Sequence, residues 1–244
     1  MPGSWEIFEQ RRNRVLVCIL RPPDSVVSDD REEFTSQMVL PPGSDRMPIK
    51  GMPYDAARNH GAKFAVDKGY GYIFFFDNDS LPVDHDIVPK LMATNLPFVS
   101  AIYWQKFYPH LPVPANEGTN EQGEAIKIPI TGWQPGQIVP ATFVPTGALL
   151  LKRSVLEEMF SHYPEPFKWG VSTGPVYDIK DGQIEQVPGF SEDFLFSFRA
   201  KQLGIQPMVH TGVAVFHELR AVVGPRWLLP LPHPDPSFGI VGVR

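Results

Sequence analysis

Cysteine is nearly absent. A single thiol, Cys18, stands in 244 residues, which excludes an intramolecular disulfide and a cysteine-ligated zinc centre. It falls within the apolar segment Val15 to Leu20, so a buried, inert thiol is expected rather than a nucleophile. Long hydrophobic runs are missing too. That same short segment is the longest unbroken one, far below the ~18–20 residues that span a bilayer, and no transmembrane segment is expected. The opening residues Met1-Pro2-Gly3-Ser4-Trp5 lack a basic region leading into an apolar stretch; a soluble, cytoplasmic protein is the expectation. Positive charge is also in deficit. With 22 Lys and Arg against 27 Asp and Glu, the net charge is −5, the wrong sign for a surface that neutralises nucleic-acid phosphates or anionic lipid. No nucleic-acid partner is expected.

What the chain does have is core material and stiff loops. Aromatics make up 12% of it, with 17 Phe, so it does not read as disordered. Its 27 prolines are about twice the ordinary share, which points to ordered, rigid connections. One domain over residues 1–244 is expected, with an extended proline-rich tail from about 225.

Val15 to Leu20 reads as a buried strand stopped by Pro22-Pro23. A weakly patterned helix is expected over Asp29 to Leu40. Asp55 to Lys68 is a helix by spacing, with Ala57, Gly61, Phe64, Ala65 and Lys68 on one face and Gly69 as its stop. Tyr72 to Phe76 is a wholly apolar strand that runs into Asp77-Asn78-Asp79. A helix from Ile87 to Thr94 takes Asp84 or Asp86 as N-cap, and Phe98 to Tyr103 is a further strand. Pro112 to Pro145 reads as a hairpin or long loop inserted in the sheet. Ala148 to Leu151 is a strand, and Ser154-x-x-Glu157 is a capping box for a helix to about Ser161. Ser191 is the N-cap of a helix ending at Gly204. Two strands, Gln206 to Val209 and Val213 to Phe216, close the pattern. Alternating strands and helices give an α/β class: an open mixed, mainly parallel sheet flanked by helices.

The strongest chemical feature is Asp77-Asn78-Asp79. Ligands of open α/β sheets bind outside the carboxyl ends of strands. Two carboxylates there repel unless a cation lies between them, and hard oxygen ligands suit Mg²⁺ or Mn²⁺. Against this stands an ordinary polar turn. Glu192-Asp193 opens a helix, where carboxylates commonly complement the dipole. His217 ends a strand, where a neutral imidazole can complete a carboxylate metal site. Arg58-Asn59 lies in the helix before the acidic turn, and its arginine suits a phosphate or a carboxylate.

In this order, these residues resemble a glycosyltransferase of the GT-A fold, close to the large family-2-like group. The parts that carry the likeness are the opening strand, Ala57-Arg58-Asn59, the DxD triplet Asp77-Asn78-Asp79, Gly147 to Arg153, Ser191-Glu192-Asp193-Phe194 and His217. The resemblance implies a Rossmann-like sheet and a metal-dependent enzyme of the hexosyltransferase type. Its donor would be a UDP- or GDP-linked sugar and its acceptor a hydroxyl. Asp79 would be the main ligand of Mn²⁺ or Mg²⁺, Asp77 would reach the ribose or the metal, and His217 would be a further ligand. Arg21 and Pro22 would border the base, and Arg58 and Asn78 would lie near the nucleotide. In inverting members the acidic pair supplies the general base. Asp193 is the first choice, kept ionised by the helix terminus, with Glu192 in reserve; a retaining enzyme needs no such base. Trp104 and Gly147 would border the acceptor.

Two alternatives remain. A haloacid-dehalogenase-like Mg²⁺ phosphatase also runs a strand into Asp-x-Asp, though normally on its first strand and followed by Gly-Thr rather than Ser80-Leu81. A nucleotide-sugar or carbohydrate-binding protein without turnover is the second. A sugar nucleotidyltransferase would need a glycine-rich loop where Arg21-Pro22-Pro23-Asp24 stands.

Overall fold

The computed structural model describes residues 12–21, 23, 29–105, 110–122, 125–169, 176–180, 183–187 and 191–217. Pro22 and the tail from 225 lie outside them. The two most apolar segments sit deepest. β1 (Val15–Arg21) and β3 (Tyr72–Asp77) pair in parallel, with Val15 opposite Tyr72 and Leu20 opposite Asp77. Strands buried on both faces need apolar side chains at every position, which is what Val15–Leu20 and Ile73–Phe76 supply.

Around this pair the sheet runs β2 (Asp45–Lys50), β1, β3, β9 (Ala148–Lys152), β5 (Phe98–Tyr103), β12 (Met208–His217), β4 (Ser80–Pro82), with β8 (Ile138–Pro140) also on β12. β2, β1, β3, β5 and β12 share one direction; β9, β8 and β4 oppose it. The expected mixed, mainly parallel sheet is therefore present. The inserted polar stretch forms the hairpin β6 (Ala115–Thr119) and β7 (Ala125–Pro129), and a second hairpin joins β10 (Val176–Lys180) to β11 (Gln183–Val187).

Alternate residues of the central strands feed two cores. Leu16, Cys18, Leu20, Phe75, Leu149 and Leu151 face one side. There they meet α2 (Tyr54–Asp67), α4 (Arg153–His162) and α5 (Glu192–Gln202). Val17, Ile19, Phe74, Phe76 and Leu150 face the other, under α1 (Asp29–Gln37) and α3 (Ile87–Ala93). The layers are helix, sheet, helix.

Several local expectations change. β2 is an outer strand with only Met47 and Ile49 turned inward on either side of Pro48, so no apolar run marks it. The capping box over Ser154 and Glu157 does not form. The helix begins at Arg153 with Lys152 as N-cap, and Glu157 receives the Arg153 side chain at 3.0 Å. Asp86 is an N-cap without a side-chain bond; it and Asp84 instead hold Lys90 at 2.9 and 2.6 Å. The last two expected strands are one, β12, with a register shift between His210 and Ala214.

That shift has a geometric purpose. From Asp77 to Ser80 the chain advances three residues, reaching at most ~11 Å. Yet β3 and β4 stand four strand positions apart in the sheet order, about 19 Å in a flat sheet. The end of β12, with β4 on it, must lean back over the ends of β5 and β9, and an irregularity in the ladder is where a strand bends.

Cys18 is fully buried, and burial pushes its thiol pKa up, as an inert thiol requires. α2 lies on it so closely that a Cβ at Gly61 would stand 2.6 Å from its Sγ. Gly61→Ala should therefore cost about 1–3 kcal/mol by overpacking, despite the helix propensity of alanine. Cys18→Ala should recover most of that loss, and urea denaturation of the single and double variants measures both.

Candidate functional site

The carboxyl ends of β1, β3, β5 and β12 place Arg21, Asp77, Tyr103 and His217 along one edge of the sheet. The antiparallel β9 starts at this edge, so Gly147 joins it, and α2 and α5 begin there. The expected site residues other than Pro22 thus lie at or beside the ends of five strands and two helices on this edge.

Arg58 is the centre of the polar network. Its side chain is 2% exposed. Nη1 and Nη2 donate to the two oxygens of Asp77 at 2.9 and 3.0 Å, and Nε donates to Glu192 Oε1 at 3.3 Å. Of the two partners foreseen for this arginine, phosphate or carboxylate, the structure supplies carboxylates. Burial disfavours the Arg58 charge, but Asp77 and Glu192 outweigh it and its pKa is raised. Glu192 is pushed up to about 7, first by burial and then by Asp193 and Asp77, against the pull of Arg58.

Asp193 is half-buried in the first turn of α5, and its Oδ1 accepts from the Ser191 hydroxyl and from the Phe194 N–H at 2.8 Å. Ser191 stands at the N-cap position as expected, but its hydroxyl bonds the Asp193 carboxylate and not the backbone. The helix terminus was expected to lower the pKa of Asp193. Burial dominates instead and raises it, with Ser191, Arg58 and the Phe194 amide only opposing.

The acidic turn is held from several directions. The Tyr54 hydroxyl donates to Asn78 Oδ1 at 3.0 Å. Gly147 accepts at its carbonyl from the Asp77 N–H at 3.2 Å and the Ser80 hydroxyl at 3.0 Å. A Cβ at Gly147 would overlap the Tyr103 hydroxyl, itself in contact with Ser80. Gly147 is a packing requirement behind the turn, a role that an acceptor-side reading does not need. Asn59, next to Arg58, exchanges two hydrogen bonds with the Phe167 backbone, at 2.6 and 3.0 Å, and fastens the chain beyond α4.

His217 lies directly across from Ser80, one residue beyond Asp79. Its Nδ1 donates to the Trp104 carbonyl at 2.7 Å, since a carbonyl only accepts. The neutral ring then carries its lone pair on Nε2, the orientation that a backbone carbonyl imposes on metal-ligating histidines. Trp104 is half-buried, with the Trp133 ring centroid 6.0 Å away. Arg21 pairs with Glu32 at 2.6 Å, while its buried Nε has no hydrogen-bond partner among the described residues. Among the described residues no three His, Cys, Asp or Glu side chains gather closely enough to hold a metal by themselves. An Asp and a His are nonetheless a sufficient protein contribution for Mg²⁺ or Mn²⁺, which commonly take their remaining ligands from phosphate oxygens and water. A cavity of about 350 Å³ lined by Arg12, Tyr72, Lys152 and Arg153 lies at the opposite end of the strands, away from these carboxylates.

Sequence reasoning missed Tyr54, Ser80 and Tyr103 in the support of the turn. Tyr54 was within reach of it, since the first residue of a helix that follows a parallel strand stands at the same sheet edge.

No family profile and no curated protein matches the sequence. Among solved structures the chain is similar to A197 from STIV, at TM-score 0.53 and 14% identity over 85% of this chain and 86% of that one. Another is GalNAc-T7, crystallised with UDP, GalNAc and Mn²⁺, at TM-score 0.49 and 12% identity over 85% of this chain. The chain spans 44% of that GalNAc-T7 chain. At 14% identity the likeness to A197 is one of fold. No helix among the described residues is long and apolar enough to cross a membrane.

The raised pKa of Glu192 has a thermodynamic sign. Its folded form holds a proton up to about pH 7, where the unfolded group, near 4.5, has lost it. Across that window the folded state binds more protons, so this group's contribution to stability falls as pH rises. Glu192→Gln, which mimics the protonated form, should gain on wild type as pH is taken from 5 to 8. The difference in Tm between the two proteins at each pH measures it.

Proposed function

We propose that the chain is a metal-dependent glycosyltransferase, moving a sugar from a UDP- or GDP-linked donor to an acceptor hydroxyl with inversion. One domain carries the reaction, and the single cysteine suits a cytoplasmic setting. The observation that carries this reading is the register that sets His217 across from Ser80, the residue after Asp79, with the imidazole turned by the Trp104 carbonyl so that Nε2 bears the lone pair.

Asp79 and His217 would hold Mn²⁺ or Mg²⁺. When bound, the cation supplies positive charge to the departing nucleoside diphosphate. Asp77, with both oxygens on Arg58, is better suited to accept from ribose hydroxyls than to ligate the metal. Arg21 and Asn78 line the nucleotide side, and Trp104 offers the acceptor an aromatic face. Asp193 removes the acceptor proton. Its raised pKa strengthens it as a base, while Glu192 is buried against Arg58 and less able to reach a substrate. The phosphatase alternative needs Asp77 as a nucleophile, and Arg58 draws on both of its oxygens. Binding without turnover is separated by the transfer assay below.

Asp79→Ala and His217→Ala should each abolish or strongly weaken Mn²⁺-dependent binding of UDP or GDP while leaving the far-ultraviolet spectrum unchanged. Calorimetric titration of the nucleotide with and without Mn²⁺ reads the effect, and wild-type binding in Asp79→Ala sinks the metal assignment.

A general base contributes ~10²–10⁴ to rate. Asp193→Asn should lower sugar transfer by about that factor with nucleotide affinity intact, and Glu192→Gln should lower it less. A product that keeps the donor's anomeric configuration would remove the base role from both.

A further inference from the structure

Arg58 fits poorly as a ligand for phosphate. Its side chain is 2% exposed, and the rings of Tyr54 and Phe75 lie 5.3 and 5.8 Å from its guanidinium carbon. What it does instead is join two elements that carry different parts of the site. Toward β3 it forks onto Asp77; toward α5 it meets Glu192, with Nη2 as well as Nε 3.3 Å from Oε1. Exposure is graded along this line. The Asp77 side chain is 17% exposed, that of Glu192 5%. The accessible end is the carboxylate at the tip of β3, and the buried end is the first turn of α5.

We infer that Arg58 is a positioning residue that couples the two halves of the site: a ligand engaging Asp77 shifts the guanidinium, and the guanidinium resets Glu192 and the helix turn that carries Asp193. The inference rests on the transferase reading for the identity of the ligand. Its physical basis is the rigidity of the fork. A guanidinium is planar, with its donors fixed relative to one another, so a carboxylate held by two parallel bonds cannot turn without tilting the plane. Tilting the plane moves the third bond, to Glu192. Coupling of this kind is reciprocal in binding free energy. A change at Glu192 must then be felt by a nucleotide that never touches it, and donor binding prepares the acceptor side.

The test is titration calorimetry of UDP and of GDP, each with Mn²⁺, against wild type, Glu192→Gln, Arg58→Lys and the double variant. Glu192→Gln should change the nucleotide Kd by about 5–50-fold when Arg58 is present. It should change Kd by less than about twofold in the Arg58→Lys background, where a single ammonium replaces the fork. An unchanged Kd in a Glu192→Gln protein with a native spectrum overturns the coupling, and so does an equal change in both backgrounds. Should Arg58→Lys fail to fold, Asp77→Asn breaks the fork in its place. If wild type binds neither nucleotide with any divalent metal, the transferase reading is what fails. The coupling then faces a ligand-free test: Asp77→Asn should shift the Glu192 side-chain carboxyl resonance in the ¹³C spectrum of the free protein, and a resonance that does not move rejects it.

Discussion

A guanidinium cannot shed its charge to suit the protein interior, because its pKa lies far above any physiological pH. Burying Arg58 therefore obliges the fold to bring carboxylates to it. Asp77 comes from the end of β3, and Glu192 comes from α5, 115 positions later in the chain. Breaking a buried pair by deleting one partner typically costs ~3–5 kcal/mol, a large part of the ~5–15 kcal/mol that holds a domain together. The placement of α2 and α5 against the same sheet edge follows from that requirement as much as from their apolar faces. The acidic turn inherits its position from it, since Asp77 is both the last residue of β3 and the arginine's main partner.

The sheet's central strands were legible because they are buried on both faces and so written as continuous apolar runs. β1, β3, β5 and β9 each stand within a residue of where the sequence puts them. Outer and short strands carry no such signature. β2 has only two apolar residues beside its proline, and β4 has three residues, Ser80–Pro82, which among the described residues pair with β12. Helix caps were the weakest inference. A Ser-x-x-Glu spacing is compatible with a box, but Arg153 offers Glu157 a charged partner one turn back, and the ion pair forms instead. At the candidate site, residue types and chain order singled out the acidic turn, the α5 carboxylates and His217, which the fold sets at one edge of the sheet. Which carboxylates would meet Arg58 was not readable, because Asp77 and Glu192 reach it only through the tertiary fold.

The pKa of Asp193 shows the same limit. A carboxylate at a helix N-terminus is stabilised in its charged form by ~0.3–1 kcal/mol in exposed cases. Desolvation beside two further acids works in the other direction and prevails. Local sequence reports the helix; it does not report that Asp77 and Glu192 will share the same poorly solvated space. Two neighbouring acids with unequal burial are nonetheless a useful arrangement. Glu192 is buried against the arginine, and Asp193 is only half-buried.

Cys18 has a further consequence. The molecule's one thiol lies in the middle of β1, beneath the glycine that lets α2 approach. An alkylating reagent meets the sulfur only when that helix lifts from the sheet, and the same helix carries Arg58. The chain thus contains its own reporter of native-state opening, placed under the element on which both halves of the carboxylate network converge, and its labelling rate clocks the separation of helix from sheet without any introduced probe.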